Sequence, residues 1–347
     1  MEALVLEDNG KLIFKKDQPV PPVVGVRSHL IRVAACGICG SDIPRGFSGG
    51  AYHYPLVMGH EFSGVIEEAV DGSDFQKGDR VAVFPLLPLD ENDKMYQLGN
   101  YAQVRDYNYF GSRCDGAYEE LLWVPEINLF KIPEQVDIVH ASMTEPAAVA
   151  LHAVRKLHIT AGNTSVVYGA GPIGNMTAQW LRIHGARQVI VIDIDKKKLD
   201  IASEMGFLTI NSLEDDPVEK IKEMTDGHGA HQVVEAVGLP VTFVQALQSA
   251  GMMGEVVFLG NIHGKFEMGE KDFSWILRKE LKIYGTWNSS VVPRGDDDWT
   301  TVLNYMDREL IVKPLISDLV NLADGPDIFQ SIINRKKFHN KVIFKVS

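Results

Sequence analysis

An alternation of short apolar strands and helices between residues 165 and 286 constrains the fold of this 347-residue chain more than any other feature. The β-branched runs fall at 165–169, 188–193, 208–211, 232–237, 255–260 and 281–286. Helical patterns separate them, as at 172–184, 196–205 and 240–250. Continuous apolar strands that alternate with helices indicate a parallel sheet covered on both faces. Six strands in series predict an α/β, doubly wound Rossmann domain that binds a nucleotide.

A glycine-rich loop directly after the first of these strands predicts the cofactor site. The loop reads GxGxxG, follows a strand and opens a helix, and its residues are Gly169, Gly171, Pro172, Ile173 and Gly174. Gly169 permits the tight turn, Gly171 lets the backbone approach a pyrophosphate, and Gly174 lets the helix pack against the strand. Pro172 suits a first helical turn, whose N–H groups would face the diphosphate.

The acidic residue at the end of the second strand predicts the choice of cofactor. Asp193 lies 19 residues after Gly174. Its carboxylate can accept hydrogen bonds from both ribose hydroxyls of NAD and would repel a 2′-phosphate. No arginine follows it closely, so we expect NAD rather than NADP. The alternative is a glycine turn in an α/β domain that binds no nucleotide.

The first 153 residues show a different pattern, in which many short strands are separated by turn clusters such as Pro21-Pro22 and Gly49-Gly50. This pattern predicts a mostly antiparallel β domain. At roughly 150 residues per domain, the chain is long enough for two domains. We expect a catalytic domain over 1–153, an NAD-binding domain over 154–287 and a tail over 288–347 that returns to the catalytic domain.

Cysteine, histidine and glutamate residues in the first domain predict a zinc site. Cys39 ends a CxxC pattern, His60 comes 21 residues later, and Glu145 begins a helical stretch. Structural zinc sites usually pair their ligands closely, whereas catalytic sites often draw three ligands from separate segments and leave a position open. We therefore expect Cys39, His60 and Glu145 to bind a catalytic zinc. A redox-active CxxC formed by Cys36 and Cys39 is the alternative.

Together these motifs resemble the zinc-dependent medium-chain dehydrogenase family over nearly the whole chain. Five motifs occur in that family's order, namely GICGSD at 37–42, GHEFSG at 59–64, GDRV at 78–81, EPAAVALHA at 145–153 and GAGPIG at 169–174. Glu145 stands where simple alcohol dehydrogenases place cysteine, which resembles the polyol dehydrogenase branch. Three further segments are similar to galactitol-1-phosphate 5-dehydrogenases, namely SDIPR at 41–45, AYHYPLVMGHEFSG at 51–64 and FGSR at 110–113.

The resemblance implies a GroES-like fold for the catalytic domain and roles for several of its residues. It implies that Cys39, His60 and Glu145 hold the zinc, and that Glu61 either contacts these ligands without touching the metal or is an exchangeable ligand. Ser41 is expected to accept the proton of the substrate hydroxyl, and Glu61 and Glu145 to tune the metal and its water. The resemblance also implies a homodimer or homotetramer joined through the cofactor domains.

The expected reaction passes a hydride from the alcohol carbon to the nicotinamide. We expect Val237, Gly260 and Trp287 to contact the nicotinamide half of the cofactor, and Lys198 to belong to the same cofactor site. For Trp287, packing between domains is an equally good interpretation.

Two departures from the family pattern carry predictions. The segment 89–104 replaces a lobe that usually holds four cysteines and a structural zinc, yet it contains no cysteine. We therefore expect one zinc per chain and no structural zinc, with the lobe held by packing of tyrosines, the candidates being Tyr96, Tyr101, Tyr107 and Tyr109. Pro44 stands where alcohol dehydrogenases often place a histidine that ends a proton relay, so the relay must end in water or another group.

Charge and composition exclude several classes of function. With 34 basic and 46 acidic side chains, the net charge of −12 argues against a nucleic-acid partner. No apolar run approaches the ~18 residues of a membrane span, and the N-terminus lacks the features of a signal peptide. The three cysteines are too few for a disulfide scaffold, so we expect a cytoplasmic protein. Residues 296–298 are aspartates that we expect to be solvent-exposed.

Because the chain carries a net charge of −12, it can bind an anionic substrate only where basic side chains lie close to the site. Arg45 lies six residues after Cys39, and Arg113 follows the cysteine-free lobe. Arginine suits phosphate because its planar fork donates two parallel hydrogen bonds, and His53 is a third candidate donor. With the resemblance, this predicts a sugar-alcohol phosphate as substrate, oxidised as galactitol 1-phosphate is to tagatose 6-phosphate. The alternatives are an unphosphorylated polyol such as sorbitol or xylitol, another polyol phosphate, and a non-catalytic NAD-binding protein.

Overall fold

The structure is a computed structural model that describes residues 1–291 and 297–347. It contains two compact units, one formed by Met1–Pro146 with Ser290–Ser347 and the other by Ala147–Ser289. The first unit is therefore built from two stretches of sequence, and the second from one.

The first stretch of the first unit is rich in short strands. Its strands are β1 (Ala3–Asp8), β2 (Lys11–Lys15), β3 (Ser28–Gly37), β4 (Leu56–Val57), β5 (Glu61–Glu68), β6 (Arg80–Val83), β7 (Leu86–Pro88), β8 (Tyr107–Tyr109), β9 (Leu121–Pro125) and β10 (Leu129–Lys131). Its helices are short except for the last, which continues into the second unit; they are α1 (Asp42–Phe47), α2 (Lys94–Gln97), α3 (Ile138–Ala141) and α4 (Thr144–Val154).

The second unit alternates strands and helices, as the sequence predicts. Its strands are β11 (Thr164–Tyr168), β12 (Gln188–Asp193), β13 (Leu208–Asn211), β14 (Ala230–Glu235), β15 (Ala250–Phe258) and β16 (Lys282–Gly285). Its helices are α5 (Pro172–Ile183), α6 (Lys196–Glu204), α7 (Pro217–Met224), α8 (Pro240–Ser249) and α9 (Glu270–Arg278). The predicted fold class is confirmed.

All pairings in this unit's sheet are parallel, in the order β13-β12-β11-β14-β15-β16. Strand order therefore reverses direction at β11, which lies between β12 and β14. In open α/β sheets ligands bind outside the carboxyl ends of the strands at such a switch point. The loop that follows β11 is the predicted glycine-rich loop.

The second stretch of the first unit supplies α10 (Asp298–Tyr305), β17 (Ile316–Asn321), α11 (Gly325–Ile333) and β18 (Lys341–Lys345). In the described residues the larger sheet of this unit runs β10-β6-β5-β3-β18-β17, with β9 also paired to β3. Except for the parallel pair β17–β18, its pairings are antiparallel. β18 thus joins the sheet directly beside β3, which precedes it by some 300 residues of sequence.

The cysteine-free lobe over 89–104 is organised by ordinary packing. Asp93 accepts a hydrogen bond from the Met95 N–H at 2.7 Å and begins α2. The rings of Tyr96 and Tyr101 pack with their centroids 5.1 Å apart, as predicted for a lobe held by tyrosines. The other two predicted tyrosines, Tyr107 and Tyr109, make contacts outside this lobe that are described below.

The prediction of a solvent-exposed acidic run at 296–298 is wrong at two of its positions. Asp297 is buried and accepts a hydrogen bond from the Thr300 N–H at 2.6 Å, which caps α10. Asp298 is fully buried and accepts one from the Ser290 N–H at 2.6 Å. Backbone N–H groups around a helix start offset the cost of burying these carboxylates. Asp296 lies outside the described residues.

None of the helices in the described ranges is both long enough and apolar enough to cross a lipid bilayer.

Candidate functional site

Cys39, His60 and Glu61 form a cluster in the first unit, with one potential ligand atom of each lying within 4.8 Å of the others. Cys39 lies in the turn between β3 and α1, His60 directly precedes β5, and Glu61 begins it. Because β3 and β5 are paired, the register of the sheet brings the three together. Gly59 has a φ of +98°, and a Cβ there would lie 2.5 Å from Tyr118, so only glycine fits the turn before His60.

Asp42, at the start of α1, is fully buried and connects the surrounding groups. Its Oδ2 accepts hydrogen bonds from the Cys39 N–H at 3.0 Å and the Tyr118 hydroxyl at 2.8 Å. Its Oδ1 lies 2.5 Å from the Arg45 Nη1 and 3.6 Å from the His60 Nδ1. A carboxylate beside a ligand imidazole fixes the orientation of the ring. Asp42 therefore fixes the backbone of Cys39 and faces the ring of His60.

Lys341, at the start of β18, is buried beside Glu61. Its Nζ pairs with the Oε2 of Glu61 and donates to the Ile38 carbonyl at 2.9 Å. Burial opposes the charge on Lys341, but the attraction of Glu61 and Cys39 outweighs it and raises the lysine pKa. Glu61 thus has one oxygen committed to a buried cation.

Glu145, in the first turn of α4, approaches the cluster through Tyr109. The Tyr109 hydroxyl donates to the Oε1 of Glu145 at 3.2 Å, and the Tyr109 ring packs edge-to-face on His60 with centroids 5.6 Å apart. Burial raises the pKa of Glu145 to about 7, with His60 opposing the shift and Glu61 adding to it. The three residues whose ligand atoms lie close together are Cys39, His60 and Glu61. The sequence analysis expected Glu145 as the third ligand, with Glu61 beside it.

The donor set fits zinc. Thiolate, imidazole and carboxylate are the ligand types that zinc takes in proteins. Burial, followed by the charges of Glu61 and Asp42, raises the pKa of the Cys39 thiol well above its usual range, so the thiolate requires a nearby cation. The Nδ1 of His60 is buried and has no hydrogen-bond partner in the described residues. The acidic groups of this region, Cys39, Asp42, Glu61 and Glu145, outnumber the two cations Arg45 and Lys341. A dication would offset the difference in charge.

Ser41, predicted to accept the substrate proton, is exposed and lies beside the thiol. Its hydroxyl is 3.3 Å from the Cys39 sulfur, and the Arg45 Nη2 lies 3.5 Å from the same hydroxyl. Pro44 lies on the following helix, α1, where a histidine would otherwise extend a relay. Ser41 is therefore placed to reach a group bound at Cys39 and also to reach solvent.

The three predicted substrate cations have different surroundings. Arg45 is mostly buried, and its charge is paired with Asp42. The Arg113 guanidinium lies over the rings of Tyr107 and Tyr52, at 4.3 and 5.1 Å from their centroids, and donates to the Tyr107 carbonyl at 3.0 Å. The Nδ1 of the exposed His53 lies 3.0 Å from the Pro55 carbonyl oxygen.

In the second unit, the glycine-rich loop has the geometry that a pyrophosphate site requires. Gly169 has a φ of +105°, which favours glycine, and a Cβ on Gly174 would lie 1.8 Å from the Gly169 carbonyl oxygen. At Gly171, by contrast, no atom lies within 4 Å of where a Cβ would stand, so the loop is open on that side. Pro172 and Ile173 form the first turn of α5, whose free N–H groups are available to an anion.

Asp193 connects this loop to the next strand. Its Oδ2 accepts from the Ala170 N–H at 2.8 Å, and its Oδ1 accepts from the Asp195 N–H at 2.9 Å. Each carboxylate oxygen keeps a second lone pair for a ribose hydroxyl. Lys198 lies in the first turn of α6, and its N–H is 3.4 Å from the Oδ1 of Asp195.

Two of the three predicted nicotinamide residues line one cavity. Gly260 and Trp287 border a space of about 340 Å³ whose lining includes Phe243, Phe258 and Phe266. Val237, partly exposed, lies in the loop after β14. That loop is held by a residue that the sequence analysis did not identify, the buried Glu235, whose Oε1 accepts from the Val237 and Gly238 N–H groups at 2.9 Å each.

Comparison with known proteins identifies the family. Residues 172–308 match the family described as zinc-binding dehydrogenase, and residues 25–134 match the alcohol dehydrogenase GroES-like domain. The chain is 32% identical over 316 residues to galactitol 1-phosphate 5-dehydrogenase of Escherichia coli K12, covering 90% of this chain and 91% of that protein. The chain belongs to the zinc-binding dehydrogenase family. The resemblance stated from the sequence is confirmed, and the dehydrogenase is an oxidoreductase acting on CH–OH donors.

Other relatives, and solved structures of similar proteins, carry names that differ in the substrate or cofactor they state. Sorbitol dehydrogenase of Halalkalibacterium halodurans is 29% identical, with 96% of each chain covered. The crystal structure of galactitol-1-phosphate dehydrogenase from Escherichia coli has a TM-score of 0.91 at 30% identity and covers 99% of this chain and 100% of that one. A Sinorhizobium meliloti structure with bound NADP has a TM-score of 0.88 at 28% identity, with 99% and 98% covered.

The sequence analysis missed three side chains that surround the cluster of Cys39, His60 and Glu61. Asp42 was visible in the GICGSD motif, and its position three residues after Cys39 on a helix start was the available signal. Tyr109 was considered only as a packing residue of the lobe. Lys341 lies 280 residues from Glu61, and no local pattern indicates such a pair.

Proposed function

We propose that this dehydrogenase oxidises a sugar-alcohol phosphate with NAD, in the manner of galactitol 1-phosphate conversion to tagatose 6-phosphate. The observation that carries the proposal is the Arg113 guanidinium, which is stacked on Tyr52 and Tyr107. Tyr52 is followed in sequence by the exposed His53. A local cation of this kind offsets the net charge of −12 that would otherwise repel a phosphate ester. The relative named galactitol 1-phosphate 5-dehydrogenase supports the same substrate class.

In this proposal Cys39, His60 and Glu61 hold one zinc, and Glu145 is the exchangeable or neighbouring carboxylate. When bound, zinc supplies a Lewis acid that lowers the pKa of a substrate hydroxyl. Ser41 accepts the hydroxyl proton and passes it to solvent. The cysteine-free lobe leaves the chain without a second zinc.

NAD supplies the hydride acceptor in this proposal, and the second unit binds it. The helix α5 and its glycine loop hold the diphosphate, Asp193 and Lys198 hold the ribose, and Val237, Gly260 and Trp287 lie around the nicotinamide. The bound NADP of the Sinorhizobium meliloti relative makes the choice of cofactor a point to be tested, and Asp193 favours NAD here.

We also propose that the dehydrogenase is a homodimer, or a homotetramer built from such dimers, joined through the sheet of the second unit. In the described part of the chain, β16 pairs only with β15, so one edge of β16 is open. Ile283 on this strand and Phe273 and Leu277 on the preceding helix are exposed, the last two by 55% and 65%. An open edge with apolar neighbours suits a two-fold pairing of identical sheets.

Sedimentation analysis of wild type and Ile283→Lys tests the proposed oligomer. A monomeric wild type would contradict it.

The three cysteines of the dehydrogenase, Cys36, Cys39 and Cys114, form no disulfide. Free thiols suit a reducing compartment, and we propose the cytoplasm as its location.

The substrate is tested by following NADH formation from hexitol and pentitol 1-phosphates and from the matching free polyols, with zinc-loaded protein. We expect a higher kcat/KM for a phosphate ester than for its free polyol. Faster oxidation of free sorbitol or xylitol would favour the second candidate, a plain polyol dehydrogenase, which the sorbitol dehydrogenase relative supports. Binding of zinc and NAD without any NADH formation would indicate a non-catalytic protein.

A further inference from the structure

Tyr109 contacts the carboxylate of Glu145 and the imidazole of His60 with two different parts of its side chain. The hydroxyl donates to Glu145 at 3.2 Å, and the ring packs edge-to-face on His60 at an interplanar angle of 62°. Neither contact depends on a residue near Tyr109 in sequence, since His60 directly precedes β5 and Glu145 lies on α4.

Strand pairing and backbone hydrogen bonds fix the position of Tyr109. Tyr109 ends β8 and is paired with Leu86 across the β7–β8 ribbon. Its carbonyl accepts hydrogen bonds from the N–H groups of Ser112 and Arg113 at 3.1 and 3.0 Å. The next residue, the fully buried Phe110, donates its N–H to the Pro85 carbonyl at 3.0 Å.

We propose that Tyr109 is a positioning residue of the metal centre, in which the hydroxyl fixes one oxygen of Glu145 and the ring fixes the plane of His60. The inference rests on the proposed zinc site. With one oxygen of Glu145 held by Tyr109, the other would be available to a metal ion held by the cluster. Groups that orient metal ligands affect the affinity of the site because a free ligand must otherwise be ordered when the metal binds.

Tyr109→Phe separates the two contacts, since it removes the hydroxyl and keeps the ring. Zinc affinity is measured by competition with a chromogenic chelator, and ligand geometry by the visible absorption of the Co(II)-substituted protein. We expect Tyr109→Phe to raise the Kd for zinc by about 10-fold or more and to shift the Co(II) bands. The matched control is Tyr101→Phe, which removes the hydroxyl of a buried tyrosine in the same unit and should change neither quantity.

A double-mutant cycle tests whether the hydroxyl acts through Glu145. In the Glu145→Gln background, Tyr109→Phe should cause a much smaller further loss of zinc affinity than in wild type. Equal losses in both backgrounds, or a Co(II) spectrum of Tyr109→Phe identical to wild type, would overturn the proposal.

A second variant tests the role of Tyr109 if the first one does not fold. If Tyr109→Phe is recovered unfolded, Glu145→Asp draws the carboxylate away from the hydroxyl and must shift the Co(II) bands; an unchanged spectrum overturns the proposal. None of these measurements uses a substrate. A wild type that binds zinc but oxidises no polyol therefore overturns the proposed function, while the Tyr109 measurements still decide the role of that residue.

Discussion

The ammonium group of Lys341 forms an ion pair with Glu61, and both side chains are buried, with 4% and 2% of their surface exposed. Lys341 lies on β18 and Glu61 on β5, with β3 between the two strands. The pair therefore connects opposite sides of β3 at the place where the metal ligands meet. A buried carboxylate stripped of its cation is costly, because its charge is then uncompensated in a poorly solvated interior.

Replacement of Lys341 by methionine should destabilise the metal-free protein by about 3–5 kcal/mol, since Glu61 loses its buried partner. Added zinc should recover more stability in Lys341→Met than in wild type, because the metal then supplies the missing charge. Urea unfolding with a chelator and with zinc measures both effects. Lys345→Met, on the exposed end of the same strand, is the control, and equal stability of the two variants would contradict the prediction.

Replacement of Asp193 by serine should raise the Kd for NAD by roughly 10- to 100-fold, since a hydrogen bond to a charged group is worth ~1.5–3 kcal/mol. Titration calorimetry with NAD and NADP measures the change. Asp200→Asn removes a similar charge from the exposed face of α6 and should leave the Kd unaltered. A wild type that binds NADP more tightly than NAD would show that the assignment of Asp193 is wrong.

Replacement of Arg113 by alanine should raise KM for the phosphorylated polyol by ~10-fold or more and leave the free polyol almost unaffected, since a charge-assisted hydrogen bond is worth ~1.5–3 kcal/mol. The sequence predicts the same result for Arg45, but the structure pairs Arg45 with the buried Asp42. Arg45→Ala should therefore impair both substrates. Arg105→Ala, at an exposed arginine, is the control. An equal loss on both substrates in Arg113→Ala would indicate a structural arginine.

Metal analysis of chelator-free protein should give about one zinc per chain, because the lobe over 89–104 contains none of the cysteines that form a structural zinc site. Cys39→Ser should lose this zinc. Tyr101→Leu should weaken the lobe, because Tyr96 loses its ring partner, and should retain the zinc. A reproducible value near two zinc ions for wild type would refute the single-site proposal.

Glu119 makes stability depend on pH. It is buried, and neither carboxyl oxygen has a hydrogen-bond partner in the described residues. Burial, with a smaller contribution from Asp115, raises its pKa to about 9. The folded state therefore holds a proton that the unfolded state releases above its ordinary pKa, and stability should fall as pH rises from about 4.5 to about 9.

Glu119→Gln should remove this part of the pH dependence. By pH 9 the variant should be more stable than wild type by at least ~2 kcal/mol, since each unit of pKa difference between folded and unfolded states is worth about 1.4 kcal/mol. Glu120→Gln, which changes the neighbouring residue that accepts the Glu2 N–H, serves as control. Parallel stability curves for wild type and Glu119→Gln between pH 5 and about 9 would contradict the assignment.

The parts of the fold that follow from local pattern were predictable from the sequence. The strands and glycine loop of the second unit are examples, because apolar runs and positive-φ glycines act over a few residues. The alternation implied a helix at α7 but did not give its bounds, although Asp216 and Pro217 are a normal helix start. The burial of Asp298 was missed because composition shows the cost of a buried carboxylate but not the N–H groups that offset it.

The residue types of the candidate metal cluster could be predicted from the sequence, but the geometry of the cluster could not. Cys39 and His60 appear in motifs, whereas the choice between Glu61 and Glu145 depends on where Lys341 and Tyr109 lie. Those contacts are set by the pairing of β18 with β3 and of β8 with β7. Pairings between distant strands have no local signature in the sequence, so these contacts could not be predicted from it.

The place of β18 beside β3 also sets an order of events during synthesis. The second unit has all its strands in one continuous stretch and can complete its sheet while the chain is still being translated. The first unit must keep the edge of β3 unpaired until residue 345 has left the ribosome. During that interval Glu61 has no lysine beside it, so the ion pair forms only after the segments that carry Cys39, His60 and Glu61 have been synthesised.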